Sequence, residues 1–365
     1  MDRPENASDH VIAHAEPLKA AVRAIFTAAG SDAREAELIA AQLVEANLTG
    51  HDSHGVGMVP RYIEVLAGGH LKPNRHARVT LDAGAMLALD GQEGYGQVMG
   101  FEAMEHGIAR AREHGTAVVA LRNSHHIGRI GHWAEQCLAA GLVSMHCVNV
   151  VSEPVVAPFG GRDARFQTNP FCVGIPLPGR KPILLDFATS RIAMGKVRVA
   201  MNKGEQVKPH TLLDRHGEWT TDPRELFARP DHGAIVPFGE HKGYGLAIVC
   251  ELLGGALTGG HTLHGKPASR AIWNSMLSII IDPERLGTLG NLSSEAEEYI
   301  RWVSASPVAA GVDKVRMPGE PEEEHRAERR ANGIPIDVTT WAEIVGAGGQ
   351  VGVTRAKLEE IARLS

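Results

Sequence analysis

The stretch "TAVVALRNSHHIGRIGHWAEQCLAAGLVSMHCVNVV", residues 116–151, shows most directly how this chain folds. A short β-rich run, TAVVAL, leads into a polar turn with two adjacent histidines, and a helical segment that ends at Gly141 follows. A second β-rich run, LVSMHCVNVV, completes the stretch. Strand, helix and strand in succession predict a sheet with covering helices, the α/β class. Polar side chains between a strand and the next helix are where such proteins bind ligands.

The same alternation extends along the chain on both sides of this stretch. Residues 100–115 predict an amphipathic helix, 182–190 a buried strand, 243–259 a buried helix and 275–282 another strand. The chain ends are helical instead, beginning with a capping-box pattern at Asp32 and Glu35 and finishing with charged helical segments after Leu292. We therefore predict an α/β domain over residues 76–289 and a helical subdomain that combines residues 1–75 with residues 290–365.

Composition narrows the class of protein. The 365 residues are 43% hydrophobic, which is enough for a large core, and the net charge of −6 forms no basic stripe for nucleic acid. No apolar run approaches the ~20 residues that span a bilayer, and the polar N-terminus lacks a signal-peptide core. Four dispersed cysteines without a C-x-x-C pair disfavour structural zinc and suit a reducing compartment. The sequence predicts a soluble cytoplasmic enzyme with no nucleic-acid or membrane partner.

Standard nucleotide motifs are absent from the sequence. No G-x-G-x-x-G follows a predicted strand, and "GQEGYGQ" (residues 91–97) has the wrong glycine spacing. A phosphate-binding G-x-x-x-x-G-K-[ST] string is also missing. A Rossmann site and phosphoryl transfer are therefore disfavoured.

Two histidine stretches carry the candidate chemistry. In "GHDSHGVG" (residues 50–57) Ser53 and His54 lie at a predicted helix–turn–helix junction, where an imidazole can exchange a proton near neutral pH. The alternative is that His54 only caps the preceding helix. In "NSHHIGRIG" (residues 123–131) neighbouring strand residues point to opposite faces, so at most one histidine faces a site. We favour His126, beside the glycine turn, and interpret His125 as a core residue.

Two later segments add polar groups. Asp186 ends an apolar run, where a carboxylate is costly unless a histidine, a ribose hydroxyl or main-chain N–H groups pair with it, or it caps a helix. His241 and Lys242 precede a glycine-containing helix that a ligand can approach closely. The alternative is that Lys242 is a solvated loop lysine.

The motifs "GHDSHGVGMVPRY", "NSHHIGRIGHWAEQ", "APFGGRDARFQTNPF", "LLDFATS", "HKGYGLA" and "PGEPEEEHR" resemble, in order and spacing, the malate/L-lactate dehydrogenase type 2 family. The resemblance implies a non-Rossmann nicotinamide-binding domain, NAD or NADP as cofactor, a 2-oxo or 2-hydroxy acid as substrate, and a homodimer. It implies His54 as proton donor, with Ser53, His126 and Asp186 as further catalytic candidates. The implied cofactor-binding residues are His54, Gly128, Arg129, Ile130, Leu184, Leu185, Asp186, Phe187, Ala188, His241, Asn274, Gly319, Glu320, Pro321 and Glu322.

Two positions depart from the pattern of this family. Met58 stands where many members have an arginine that holds the substrate carboxylate, and Gln167 stands where a glycine is usual. Methionine favours an apolar or aromatic substrate side chain. This favours a substrate such as phenylpyruvate over malate. The resemblance as a whole implies 2-oxoglutarate, phenylpyruvate or hydroxyphenylpyruvate as substrates, with a malate or lactate dehydrogenase of the same family as the alternative. Arg61, Arg129 or Lys242 would then hold the carboxylate.

Two other functions compete with the dehydrogenase. A metal hydrolase would use His51, Asp52 and His54 with His125 or His126, because a spacing of three suits ligands on a helix. A nucleotide sensor would bind the cofactor without turnover. We predict no metal and rank both below the dehydrogenase.

Overall fold

The computed structural model describes residues 10–264 and 271–364. Within these ranges the helices and strands follow one another in this order: β1 (His10–Ala13), α1 (Ala15–Ala28), α2 (Ala33–Leu48), α3 (Val59–Ala67), β2 (Arg78–Ala83), β3 (Met86–Asp90), α4 (Gly96–His114), β4 (Thr116–His125), α5 (Gly131–Ala139), β5 (Val143–Val151), β6 (Pro170–Ile175), β7 (Ile183–Ala188), α6 (Met194–Lys203), β8 (Leu212–Leu213), β9 (Trp219–Thr220), β10 (Ala234–Ile235), α7 (His241–Cys250), β11 (Trp273–Ile281), α8 (Leu289–Ser304), α9 (Glu320–Asn332), β12 (Ile334–Asp337), α10 (Val338–Gln350) and α11 (Arg355–Ala362). The chain divides into two compact units, which we call the terminal unit (described residues up to Asn74 and from Glu320 onward) and the sheet unit (Arg75–Gly319).

The terminal unit joins both ends of the chain. Strand β1 pairs antiparallel with β12, and α1 packs against α2 and α11. Asp32 caps α2 by accepting a hydrogen bond from the main-chain N–H of Glu35 at 2.8 Å. The Glu35 carboxylate accepts from the N–H of Asn74 instead of reaching back to the cap, so only half of the predicted capping box forms.

The sheet unit contains a seven-stranded sheet in the order β2-β3-β4-β11-β5-β6-β7. Only β3 and β4 run parallel; the other neighbours are antiparallel. Helices α4 and α5 lie on one face, where a Cβ at Gly174 of β6 would contact Leu138 and Ala134 of α5. The α/β prediction is confirmed, with helices over a mixed sheet.

The strand directions bring five chain segments to one end of this sheet. His125 at the end of β4 pairs with Trp273 at the start of β11, which pairs in turn with Val151 at the end of β5. At the same end, Pro170 begins β6 and lies opposite Ala188, the last residue of β7. The polar segments predicted after strands therefore meet at one end of the sheet.

Three sequence predictions differ from the structure. Strand β4 continues through Asn123, Ser124 and His125, beyond the apolar run that predicted it, because Ser124 and His125 pair with Asn274 and Trp273 of β11. The helix predicted over 243–259 is not fully buried: Val249 and Leu252 are exposed, and its second half, Glu251–Ala256, is a π-helix. Edge strand β7, predicted as buried, exposes Leu185.

The second boundary between the units lies at residue 319, whereas we placed it at residue 289. Residues 290–319 lie with the sheet unit because the N–H of Leu184 donates to the carbonyl of Pro318 at 3.1 Å and Arg180 pairs with Glu297 at 2.7 Å. The charged, amphipathic pattern of α8 could not show which unit it joins.

No helix among the described residues is both long and apolar enough to cross a membrane.

A buried histidine in β5 makes the stability of the sheet unit depend on pH. The His146 ring lies between the hydroxyls of Ser278 (2.8 Å from Nδ1) and Ser144 (3.0 Å from Nε2), and burial lowers its pKa to about 3. Below about pH 6.5 the unfolded chain protonates this residue while the folded chain keeps it neutral. We therefore expect the free energy of unfolding to be fully supported above that pH and to fall as the pH decreases toward 3, by up to about 1.4 kcal/mol per pH unit from this residue.

Urea unfolding of wild type and His146→Gln at about pH 7 and about pH 5 measures this effect. The variant should lose less stability between the two values than wild type does. The exposed His106 offers the control variant His106→Gln, which should follow wild type. Equal pH dependence of wild type and His146→Gln would contradict the prediction.

Candidate active site

The turn between β4 and α5 is fixed by an asparagine from β11, the neighbouring strand in the sheet. Asn274 Oδ1 accepts from the N–H of Ile127 at 3.0 Å, and its Nδ2 donates to the carbonyl of Asn149 at 2.9 Å. Gly128 in this turn has a φ of +73°, in the region that favours glycine. Both hydrogen-bonding atoms of the buried Asn274 amide thus hold the turn and β5, so Asn274 positions this segment.

Asp186 finds its partners at the start of α5. Its Oδ2 accepts from the N–H of Gly131 at 2.8 Å and lies 3.8 Å from Arg129 Nη1. Glu135 makes a second ion pair with the Arg129 guanidinium. The carboxylate thus caps the first turn of α5 from a neighbouring strand, where negative charge also complements the helix dipole.

Arg129 is committed to these contacts. Its side chain is 1% exposed and lies between two carboxylates, those of Asp186 and Glu135. A Cβ at Gly131 would lie only 2.7 Å from Asp186 Oδ2, so the close packing of the three side chains requires glycine there. This arrangement argues against Arg129 as a solvent-facing clamp for a substrate carboxylate.

A thiol lies across the strand pair from Asp186. Cys172 of β6 is the register partner of Asp186 in β7. Burial raises the pKa of the Cys172 thiol, and the nearby carboxylate raises it further. The Cys172 side chain is therefore a neutral thiol at physiological pH and adds no charge to this end of the sheet.

Both histidines of the pair are buried. His125 is fully buried, with its ring edge-on to Trp273 at a centroid distance of 5.8 Å, and His126 is 7% exposed. A Cβ at Gly96 of α4 would overlap the main-chain carbonyl of His126, so glycine allows α4 to start against this turn. The interpretation of His125 as a core residue agrees with its burial, and the role of His126 stays a prediction.

Strand β7 carries one predicted cofactor-binding segment, Leu184–Ala188, and lies against a second predicted cofactor-binding residue, Gly319. Leu184 packs against Gly319, whose Cβ position lies 3.1 Å from Leu184 Cβ. Leu185 and Phe187 project from the face opposite Leu184 and Asp186, as strand alternation requires. The Phe187 ring contacts Phe238 at a centroid distance of 5.3 Å, next to the segment that leads into α7.

The start of α7 is open to a ligand. His241 and Lys242 are exposed, and Glu240 before them makes no side-chain capping hydrogen bond. Glu240 has a φ of +58°, a strained conformation for this residue of the kind that clusters at functional sites. The uncapped start of α7, beside His241 and Lys242, suits the phosphates of a dinucleotide. The start of α5 suits them less well, because the Asp186 carboxylate already accepts a hydrogen bond there. The residues present therefore fit a nicotinamide cofactor.

The terminal unit carries the other predicted catalytic residues. Ser53 and His54 are half-buried in a short 3₁₀ helix, Asp52–His54. Asn47 Nδ2 donates to Asp52 Oδ1 at 2.6 Å, and Arg329 donates to the two Asp52 oxygens at 2.7 and 3.0 Å. The turn that holds Ser53 and His54 is thus tied to both α2 and α9.

The start of α9 also approaches this turn. His51 Nε2 lies 3.3 Å from Glu322 Oε1, which joins a predicted cofactor-binding residue to the histidine stretch. Glu320 is half-buried and Pro321 is exposed in the first turn of α9. Met58 is half-buried just before α3, and Arg61 in that helix lies 3.6 Å from Glu64.

Sequence reasoning missed the residues that support the site. Arg329 lay in a charged helical run that we assigned to the helical subdomain without a role in the site, and Asn47 lay inside an amphipathic helix. In the sheet unit, the buried Asn169 donates to Glu251 Oε2 at 2.6 Å and accepts from the N–H of Val150. One signal for this contact between Asn169 and Glu251 was present in the sequence. Glu251 is a charged residue in an otherwise apolar helix, which indicates that it has a buried polar partner.

No group of three or more histidine, cysteine, aspartate or glutamate side chains within residues 10–264 and 271–364 has a geometry that could hold a metal ion. His51 and Asp52, which the hydrolase hypothesis requires, face Glu322 and Arg329.

Comparison with known proteins decides the family. The profile of the malate/L-lactate dehydrogenases matches residues 13–345. The chain belongs to the malate/L-lactate dehydrogenase family. The resemblance drawn from the six motifs is thereby confirmed, and the family makes the chain an oxidoreductase of the class that acts on 2-hydroxy acids with a nicotinamide cofactor.

Individual relatives cover nearly the whole chain. Hydroxycarboxylate dehydrogenase B of Escherichia coli (strain K12) is 49% identical over 349 residues, which cover 94% of this chain and 96% of that protein. L-lactate dehydrogenase of Cupriavidus necator is 40% identical over 325 residues, covering 88% and 93%. The solved structure of a candidate malate/lactate dehydrogenase from E. coli superposes with a TM-score of 0.93 at 48% identity, covering 96% of this chain and 98% of that one.

Proposed function

We propose that this dehydrogenase reduces 2-oxo acids to 2-hydroxy acids with NADH or NADPH, and that its preferred substrates have large side chains. The observation that carries the proposal is the 49% identity with hydroxycarboxylate dehydrogenase B along almost the full chain. The joining of the predicted segments at one end of the sheet supports it. The homodimer implied by the family stays a prediction.

The cofactor site in this proposal uses residues of the sheet unit. Lys242 at the start of α7 supplies positive charge for the phosphates, and the neighbouring His241 ring offers them a hydrogen bond. Leu184–Ala188 and the turn of Gly128, Arg129 and Ile130 supply the wall. Asn274 and Asp186 hold that turn in place. When bound, the cofactor supplies the hydride for C2 of the substrate.

His54 donates the proton in this mechanism. Reduction of a 2-oxo acid leaves negative charge on the C2 oxygen, and an imidazolium near that oxygen can neutralise it by transferring a proton. In this proposal Ser53, its neighbour in the 3₁₀ helix, donates a hydrogen bond to the same oxygen or orients the ring. Main-chain hydrogen bonds and the contact between Asn47 and Asp52 support this turn.

In this proposal the substrate preference depends on Met58 and on the arginine that binds the substrate carboxylate. Met58 at the start of α3 offers an apolar, adaptable surface where an arginine would favour a second carboxylate. Arg129 is buried between Asp186 and Glu135, so we assign the substrate carboxylate to Arg61, one helical turn after Met58. Phenylpyruvate and hydroxyphenylpyruvate fit this description better than oxaloacetate, the 2-oxo acid whose reduction gives malate.

A substrate panel tests the proposal. NADH and NADPH consumption should be measured with pyruvate, oxaloacetate, 2-oxoglutarate, phenylpyruvate and hydroxyphenylpyruvate. We expect the highest kcat/KM with the aromatic 2-oxo acids.

Replacing Met58 with arginine should shift the preference toward oxaloacetate, because a buried or half-buried charge pair discriminates strongly between substrates with and without a second carboxylate. Cofactor binding without oxidation by any of the five acids would favour the sensor hypothesis.

A further inference from the structure

The 3₁₀ helix Asp52–His54 cannot hold its own geometry by main-chain bonds alone. It contains a single turn, closed by the N–H of His54 donating to the carbonyl of His51 at 2.9 Å and the N–H of Gly55 donating to that of Asp52 at 3.1 Å. Short 3₁₀ segments have poorer hydrogen-bond geometry than α-helices. Contacts from outside the turn must therefore fix the direction in which Ser53 and His54 point.

Asn47 supplies the first of these contacts from α2. Its Nδ2 donates to Asp52 Oδ1 at 2.6 Å, while its Oδ1 accepts from the N–H of Val56 at 2.8 Å. The two bonds bracket the turn, one on each side of His54. A Cβ at Gly55 would overlap the Asn47 amide, so the close approach depends on glycine at that position.

Arg329 supplies the second contact from α9. Its guanidinium makes the two-bond pair with Asp52, at 2.7 and 3.0 Å, and it also donates to the main-chain carbonyl of Asn47. The Arg329 side chain is only 12% exposed. A bidentate arginine–carboxylate pair fixes direction as well as distance, which a lysine at the same position cannot do.

We infer that Arg329 is a positioning residue for the reduction: through Asp52 and Asn47 it sets the orientation of His54 toward the substrate oxygen. We call Asn47, Asp52 and Arg329 the Asp52 clamp. The inference rests on the proposed function, since it takes His54 as the proton donor. Arg329 lies in the C-terminal part of the chain, and in this inference it acts through the turn and not by contacting substrate or cofactor.

The expected effect is on turnover. A misplacement of about 1 Å in a reacting group can cost ~100-fold in rate, so Arg329→Met should lower kcat by roughly 10- to 100-fold. KM for the nicotinamide cofactor should change little, because the cofactor residues of the sheet unit are untouched. Arg329→Lys should recover only part of kcat, since it restores charge without the two-bond geometry.

A double-mutant cycle with His54 makes the test specific. If Arg329 acts through His54, the variant His54→Asn/Arg329→Met should be no slower than His54→Asn alone. Effects that multiply would overturn the inference, because they would mean that Arg329 contributes independently of His54. A kcat of Arg329→Met equal to wild type would overturn it as well.

Two controls separate the possible causes. Arg355→Met removes an exposed arginine that pairs with Glu359 in the same unit, and it should leave kcat unchanged. If Arg329→Met does not fold, Asp52→Asn opens the same clamp from the other side and should show the same non-additivity with His54→Asn. Failure of the proposed function looks different: His54→Asn itself would then keep wild-type turnover.

Discussion

Replacing His54 with asparagine is expected to lower kcat by about 10²–10⁴-fold, because general acid catalysis contributes this much to typical proton transfers. This corresponds to roughly 3–5 kcal/mol of barrier. Asparagine keeps a polar side chain of similar size on the 3₁₀ turn but cannot give up a proton at neutral pH. The Kd for NADH, measured by fluorescence titration, should change much less than kcat.

The exposed His70 provides the matched control, since it lies in the same unit outside the turn. His70→Asn should retain the kcat of wild type. If His54→Asn also retained it, the proton-donor role would have to pass to another group, with His126 the next candidate. A parallel loss of NADH affinity and kcat would instead place His54 against the cofactor without acid catalysis.

Replacing Arg129 with methionine is expected to destabilise the sheet unit by about 3–5 kcal/mol, because it leaves the carboxylates of Asp186 and Glu135 without their shared cation. The guanidinium is almost fully buried, and its Nε and Nη1 make no hydrogen bond within the described residues. Its contribution therefore comes mainly from charge balance. Urea unfolding of wild type and variant measures the change in free energy.

The same variant decides whether Arg129 has a second role. At a temperature where both proteins are folded, KM for the 2-oxo acid should stay close to wild type if Arg129 is structural and Arg61 holds the carboxylate. A large rise in KM with little loss of stability would contradict both assignments. Arg355→Met, which removes an exposed ion pair, should change stability by no more than about 0.5 kcal/mol.

Local patterns predicted the elements around the site well. The run TAVVAL, the glycine that ends α5 and the run LVSMHCVNVV identified β4, α5 and β5, since each element carries its own periodicity and stop signal. Burying a carboxylate in an apolar run costs free energy unless the carboxylate is paired, and this cost pointed to Asp186 before its partners were known. Arg129 and Gly131, three and five residues after His126, turned out to be those partners.

Long-range partners could not be read from the sequence. Asn274 contacts a turn about 150 residues earlier in the chain, and no spacing rule links an asparagine at a strand start to that turn. Arg329 was hidden for a similar reason, because an arginine in a charged helix usually faces water. The extension of β4 through Ser124 followed from its pairing with β11, which local propensity does not encode.

The arrangement of the terminal unit has a consequence for biosynthesis. Ser53 and His54 leave the ribosome early, but Arg329, which holds their turn, and β12, which pairs with β1, are translated near the end. A nascent chain can thus complete the sheet unit before the arginine that holds this turn is available. We therefore expect prematurely terminated chains that lack α9 to fold their sheet unit but to leave the Ser53–His54 turn without its arginine contact.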